Sequence, residues 1–278
     1  MKITEYPLIN SVEDDSILLI DGGSGTRRIN ALTAVLSALG LSSIENKRNI
    51  FRGKNLGTSV TSEQRLTIQS GEFNDLWLGD YWVINGVNWR IADFDYWYGK
   101  GDTNMNSHHV VIVPDSNLGT AVMNSSSTTS GGYKGSSMYT SGLSAAKSTI
   151  TNAFGSYILT HREYLISTVT SGYPSAGVWS DSQIDLMNEI MVFGSHIYCP
   201  SGNGAVNVKR YTNSATQLAL FRVSPRFINW PSESTDRIGY WLRDIANATS
   251  FVRVSTYGAP QDTSASQSYG IRPAFAIG

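Results

Sequence analysis

Between residues 93 and 106 the chain spaces oxygen-bearing side chains closely: Asp93, Asp95, Asp102, Asn104 and Asn106. Carboxylates and amide carbonyls are the ligands that hard cations prefer, so this stretch is a candidate calcium site. Asp102-x-Asn104-x-Asn106 opens like an EF-hand loop, but Ser107 stands where that loop needs glycine and Val113 where it needs a bidentate glutamate. Hydrogen bonds that merely hold the loop are the competing reading. His108 and His109 follow directly, and strand alternation sends their side chains to opposite faces, which prevents joint chelation. His161 and His196 lie far off and in no ligand spacing.

Nucleophilic chemistry has one apparent motif. Ser144-Ala-Ala-Lys147 matches the S-x-x-K pattern in which a lysine one helical turn away helps activate a serine, yet neither an S-D-N nor a K-T-G partner occurs. Gly22-Gly-Ser-Gly-Thr26 lacks the Gly-Lys-Ser/Thr ending that a phosphate cradle requires, so it reads as a hairpin turn. No acidic pair stands in a recognisable glycosidase pattern, and no enzymatic activity is expected.

Aromatic residues are the other candidate. Tyr96-Trp97-Tyr98 cannot all point inward from one strand or loop, so at least one ring is expected at the surface, where it would serve ligand or subunit contact. Trp82, Trp89 and Trp241 sit among alternating apolar residues and read as core, and Trp241, Phe251, Ile271 and Phe275 are expected to be buried together with Trp82 and Trp89. Arg243 and Arg272 lie within apolar C-terminal strands, where an unpaired charge is costly. Each is expected to pair with a buried carboxylate, with Asp80, Asp93 and Asp244 as candidates, or to cap backbone carbonyls.

The elements that must position these groups are mostly short strands. Tyr81 to Ile91 forms a hairpin about Asn85-Gly86, the preferred dipeptide of a tight two-residue turn. His109-Val-Val-Ile-Val113 has the continuous apolar run of a strand buried on both faces. Thr61-Ser-Glu-Gln64 is a capping box opening a helix that ends at Gly71, and Leu143 to Phe154 forms another helix. Ser180-Asp-Ser-Gln183 reads as a second capping box, with Ile184, Met187, Ile190 and Met191 as the apolar stripe of a helix ending at Gly194. Gln217 to Val223 reads as a strand, and the Ser/Thr/Gly-rich segments 124–142 and 255–268 as surface loops. Upstream, strands at Ser16–Asp21 and Thr26–Ile29 and a helix carrying Leu32, Val35, Leu36 and Leu39 make a small unit over residues 1–45.

Composition narrows the classes of function. Charged residues are 15% of the 278, against about 25% in an ordinary soluble domain. The net charge of −1 offers no basic face for nucleic acid. The single Cys199 excludes an internal disulfide and is expected as a free thiol in a core. The first residues lack the pattern of a signal peptide and no apolar run is long enough to span a bilayer, so synthesis in a cytoplasm and no membrane contact are expected.

The series Gly79-Asp-Tyr-Trp82, Ile84-Asn-Gly-Val87, Trp89-Arg-Ile-Ala-Asp93, His108-His-Val-Val-Ile-Val-Pro-Asp115, Tyr240-Trp-Leu-Arg-Asp244 and Arg272-Pro-Ala-Phe275 resembles a family of uncharacterised structural proteins of phages and prophages from gut Gram-positive bacteria. The match covers roughly residues 50 to 278. Its ending also resembles C-type-lectin-like and sulfatase-modifying-factor-like folds, in which a Tyr-Trp-x-Arg strand and an Arg-Pro strand lie side by side.

The resemblance implies a virion part and not a reaction. The expected fold is α+β, with a β-rich C-type-lectin-like domain over residues 46–278 and an N-terminal virion-attachment module over residues 1–45. The expected role is surface display on the virion and binding, as a fibre, decoration or receptor-binding component. Expected partners are other virion proteins, further copies of the chain as a homotrimer, and a host-surface glycan or protein. Calcium is the one cofactor considered, and a tail-associated glycan- or peptidoglycan-cleaving hydrolase is the alternative function.

Overall fold

The computed structural model describes residues 17–21, 26–30, 39, 43–198, 216–230 and 237–278. Strands β1 (Ile17–Asp21) and β2 (Thr26–Asn30) pair antiparallel, Ile17 opposite Asn30. The predicted glycine turn between them, the helix bearing Leu32, Val35 and Leu36, and Cys199 lie outside the described residues.

From Ser43 onward the chain builds two five-stranded sheets, a long hairpin and short helices, a strand-rich α+β arrangement. Helices α1 (Ile44–Lys47) and α2 (Ser62–Gln69) come first. Thr61 and Gln64 form the reciprocal capping box read from their types, so α2 begins where two of its free N–H groups find oxygen partners.

The first sheet runs β3 (Tyr81–Ile84), β4 (Val87–Phe94), β5 (Val110–Pro114), β14 (Pro273–Ile277), β9 (Ile184–Leu186), antiparallel throughout. Asn85 and Gly86, both at positive φ (53° and 77°), make the tight turn between β3 and β4. Every residue of β5 is buried, as its unbroken apolar run predicts. Trp82, Trp89 and Phe275 share this core, where Trp89 meets Phe154 and Phe275 edge-on at 5.4 and 5.8 Å.

The second sheet runs β12 (Pro260–Ser264), β11 (Ser250–Val254), β10 (Tyr240–Ile245), β13 (Ser268–Gly270), β6 (Thr120–Val122). Only the β10–β13 contact is parallel, with Tyr240 opposite Gly270. Trp241, Phe251 and Ile271 belong to a second cluster with Met123, Leu143, Leu165 and Leu186. The expectation that they pack with Trp82 and Trp89 is thus corrected. The C-terminus serves two cores because the chain crosses between sheets at Ile271-Arg272.

Strands β7 (His161–Thr170) and β8 (Tyr173–Ser182) form a ten-residue hairpin turning at Ser171-Gly172, both at positive φ. This overturns the helix expected from Ser180. Ser180 and Ser182 are strand residues, Ile184–Leu186 is strand β9, and the helix that does form, α4 (Glu189–Phe193), is capped by Asn188 and closed by left-handed Gly194. Gln217 to Val223 is likewise not a strand, because Ala219–Val223 is helix α5.

The polar segments are less exposed than predicted. Within 124–142, Thr129, Tyr133, Ser136 and Met138 are buried against the second core, leading into helix α3 (Ser144–Phe154). Within 255–268, residues Pro260–Ser264 form the edge strand β12.

Candidate functional site

Strand β4 ends at Phe94, and Asp95 at φ 49° breaks the alternation, so the three following aromatics take different environments. Tyr96 is buried and donates its hydroxyl to the Thr216 carbonyl at 2.6 Å. Trp97 is buried, lies parallel to His161 with centroids 3.8 Å apart, and donates its indole N–H to Glu163 at 2.8 Å. Tyr98 is 41% exposed and stacks on His108 at 4.6 Å.

The oxygen-rich stretch does not converge. Asp93 is buried and accepts from the Arg48 guanidinium at 2.6 Å and from the N–H groups of Phe94 and Ala219. Asp95 binds His108 at 2.7 Å and the N–H of His109 at 2.9 Å. Asp102 takes a bidentate contact from Arg162, at 2.8 and 3.0 Å, and Asn104 is exposed. Each carboxylate already has a protein partner, and no group of three His, Cys, Asp or Glu among the described residues is placed to hold a metal ion. Asp93 and Asp102 thus tie this stretch to Arg48 and Arg162, and Asp95 ties it to His108 and His109. His108 and His109 take separate environments, the second buried, and burial pushes its imidazole down to about 4.

The buried arginines are held differently from one another. Arg243 pairs with Glu163 of β7 at 3.0 Å, which corrects the candidates named from sequence: Asp80 belongs to Arg52, Asp93 to Arg48, and Asp244 accepts the Glu189 N–H at 2.6 Å. Arg272 caps carbonyls, donating to Pro114, Phe227 and Ile228 at 2.8 to 3.0 Å. Trp82, Trp89 and Trp241 are fully buried, and each indole N–H has an acceptor, in Gln64, Ile84 and Ala121 respectively.

Burial works against ionisation of Glu163, but Arg243, His161 and the Trp97 N–H outweigh it and hold the carboxyl down at about 2. Asp244 has the opposite fate. Burial, reinforced by the nearby Glu189 carboxylate, pushes it up to about 7.

A groove of about 400 Å³ lies between α3 and the β8–β9 turn. Tyr139, Lys147 and Thr151 form one wall; Asp181, Gln183 and Asp185 form the other. Lys147 and Thr151 are one helical turn apart and so share a face of α3. Asp185 is buried and fixed by the hydroxyls of Tyr133, at 3.1 Å, and Ser182. Asp181 accepts from Arg162 at 2.7 Å, and Gln183 donates to Thr160 at 3.0 Å. Ser144 is exposed at the start of α3, while Lys147 serves the groove wall.

Sequence reasoning missed this wall entirely, because it placed residues 180–194 on a helix. Ser180-Asp-Ser-Gln183 is polar throughout, so no alternation of residue types marked it as strand, and its buried-exposed alternation appears only once β8 is paired. No family model, curated protein or solved structure matches the chain.

Proposed function

We propose that this protein is a virion structural component displayed at the particle surface, where its body, C-type-lectin-like in architecture, acts by binding. The observation that carries the reading is the groove. Its walls present fixed acceptors and donors from Asp181, Gln183, Asp185 and Lys147, and the carboxylates are oriented by Arg162, Tyr133 and Ser182. Groups held in this way recognise polar ligands with little loss of side-chain freedom. The lectin-like reading draws on the parallel contact of β10 with β13, Tyr240 opposite Gly270; the Arg272-Pro273 strand that the resemblance places beside β10 runs on as β14 in the other sheet.

In this reading residues 1–45 attach the body to other virion proteins, the chain assembles as a homotrimer, and the outer face meets a host-surface glycan or protein. The rival is a tail-associated hydrolase of glycan or peptidoglycan, which requires one carboxyl to act as a general acid beside a second as base or nucleophile. Immunogold labelling of intact particles tests the placement, and incubation of purified protein with host cell walls tests the rival. Surface label with no released sugar or peptide is the expected result; fragment release would establish the hydrolase instead.

A further inference from the structure

We propose that the groove between α3 and the β8–β9 turn is a subsite for an acidic sugar, a hydroxyl-rich ring carrying one carboxylate or phosphate. The inference rests on the binding function proposed above and adds the chemistry of the ligand.

The size is suitable, since about 400 Å³ falls in the range of small-molecule sites, roughly 300 to 1,000 Å³. The two walls differ in charge compensation. Asp181 is matched by Arg162, and Asp185 receives two hydroxyl donors. Each carboxylate oxygen has a second lone pair, so both side chains can still accept from a ligand hydroxyl. Gln183 uses one amide hydrogen on Thr160, leaving a second N–H and its carbonyl. This wall therefore suits neighbouring hydroxyls, each of which donates once and accepts twice.

The helix wall carries positive charge. Among the described residues, Lys147 forms no ion pair, and its ammonium sits 5.5 Å from the centre of the Tyr139 ring. Lys134 donates to the Tyr139 hydroxyl at 2.6 Å and so adds a second cation beside the same ring. A ligand that places an anion against Lys147 and hydroxyls against Asp181, Gln183 and Asp185 satisfies both walls. A charge-assisted hydrogen bond of this kind is about twice as strong as a neutral one.

The test uses the full chain and three probes, glucose, glucuronate and glucose 6-phosphate, titrated by calorimetry or ligand-observed NMR. Both acids are expected to bind saturably and about tenfold more tightly than glucose. Lys147→Gln should erase that gap, and Thr151→Trp, on the exposed face of α3, should block all three. Unaltered melting curves establish that both variants are folded. If only one acid binds, the anion is identified as carboxylate or phosphate and the proposal stands. Equal binding of glucose, a gap that survives Lys147→Gln, binding that survives Thr151→Trp, or no binding of any probe would each overturn it. Attachment of the same protein to host cells is scored in parallel. Attachment without sugar binding defeats this inference alone, whereas loss of attachment defeats the proposed function itself.

Discussion

Arg243 on β10 and Glu163 on β7 form a buried ion pair, Nη2 to Oε2, 3.0 Å long, that ties the second sheet to the hairpin. Trp97 completes it by donating to the other Glu163 oxygen, so the loop after β4 joins the same junction. Three segments far apart in sequence thus meet at one carboxylate.

Removing one partner leaves a buried charge uncompensated. Glu163→Ala is expected to lower stability by about 3–5 kcal/mol, measured by urea unfolding. The double change Glu163→Leu with Arg243→Met should recover most of that loss, since replacing both charges with apolar groups is often neutral or stabilising. A double variant as unstable as the single would show that the damage lies in packing.

The two perturbed acids give opposite pH signatures. Glu163 is depressed to about 2 against an ordinary value of about 4.3, so its stabilisation is present above pH ~4.3 and is lost as pH falls toward 2. Asp244 is raised to about 7 against about 3.9, so the folded protein keeps a proton that the unfolded chain releases, and stability falls as pH rises through that window. His109, lowered to about 4, acts in the reverse sense from pH ~6.5 downward. The readout is therefore the difference between Asp244→Asn and wild type. Its gain in Tm should be larger at pH 8 than at pH 5, and a difference independent of pH would contradict the assignment.

Strand β14 lies between β5 and β9, and Phe275 is fully buried against Trp89 and Phe154. Phe275→Ala is expected to destabilise by about 3–5 kcal/mol. Removing residues 273–278 takes a central strand from the first sheet, and insoluble protein is expected. Soluble, cooperatively melting protein after that truncation would show the strand to be peripheral.

Asp93, Asp95 and Asp102 each have a cationic or backbone partner, so calcium has no convergent ligand set there. Neither millimolar calcium nor a chelator should move Tm. A rise of several degrees with calcium would show that these residues rearrange around the ion.

Local signals in the sequence carried well. Asn85-Gly86, Thr61 with Gln64, and the apolar run through Val113 each encode their element within a few residues. Pairing between distant segments was not legible, which is why Arg243 was matched to the wrong carboxylates and Trp241 to the wrong core. Two local misreadings had separate causes. Ser180 to Gln183 imitates a capping box, and buried Ala219, Leu220 and Phe221 span too few residues for helix and strand periods to differ. The first hid Asp185 and its wall of the groove.

The central claim is binding at the host surface through this groove, and one measurement addresses it directly. Labelled full-length protein and its Thr151→Trp variant are compared for attachment to intact host cells across a concentration series. Saturable attachment by the wild type, reduced at least tenfold in the folded variant, is the predicted result. Equal attachment of the two proteins, or none by the wild type, would contradict it.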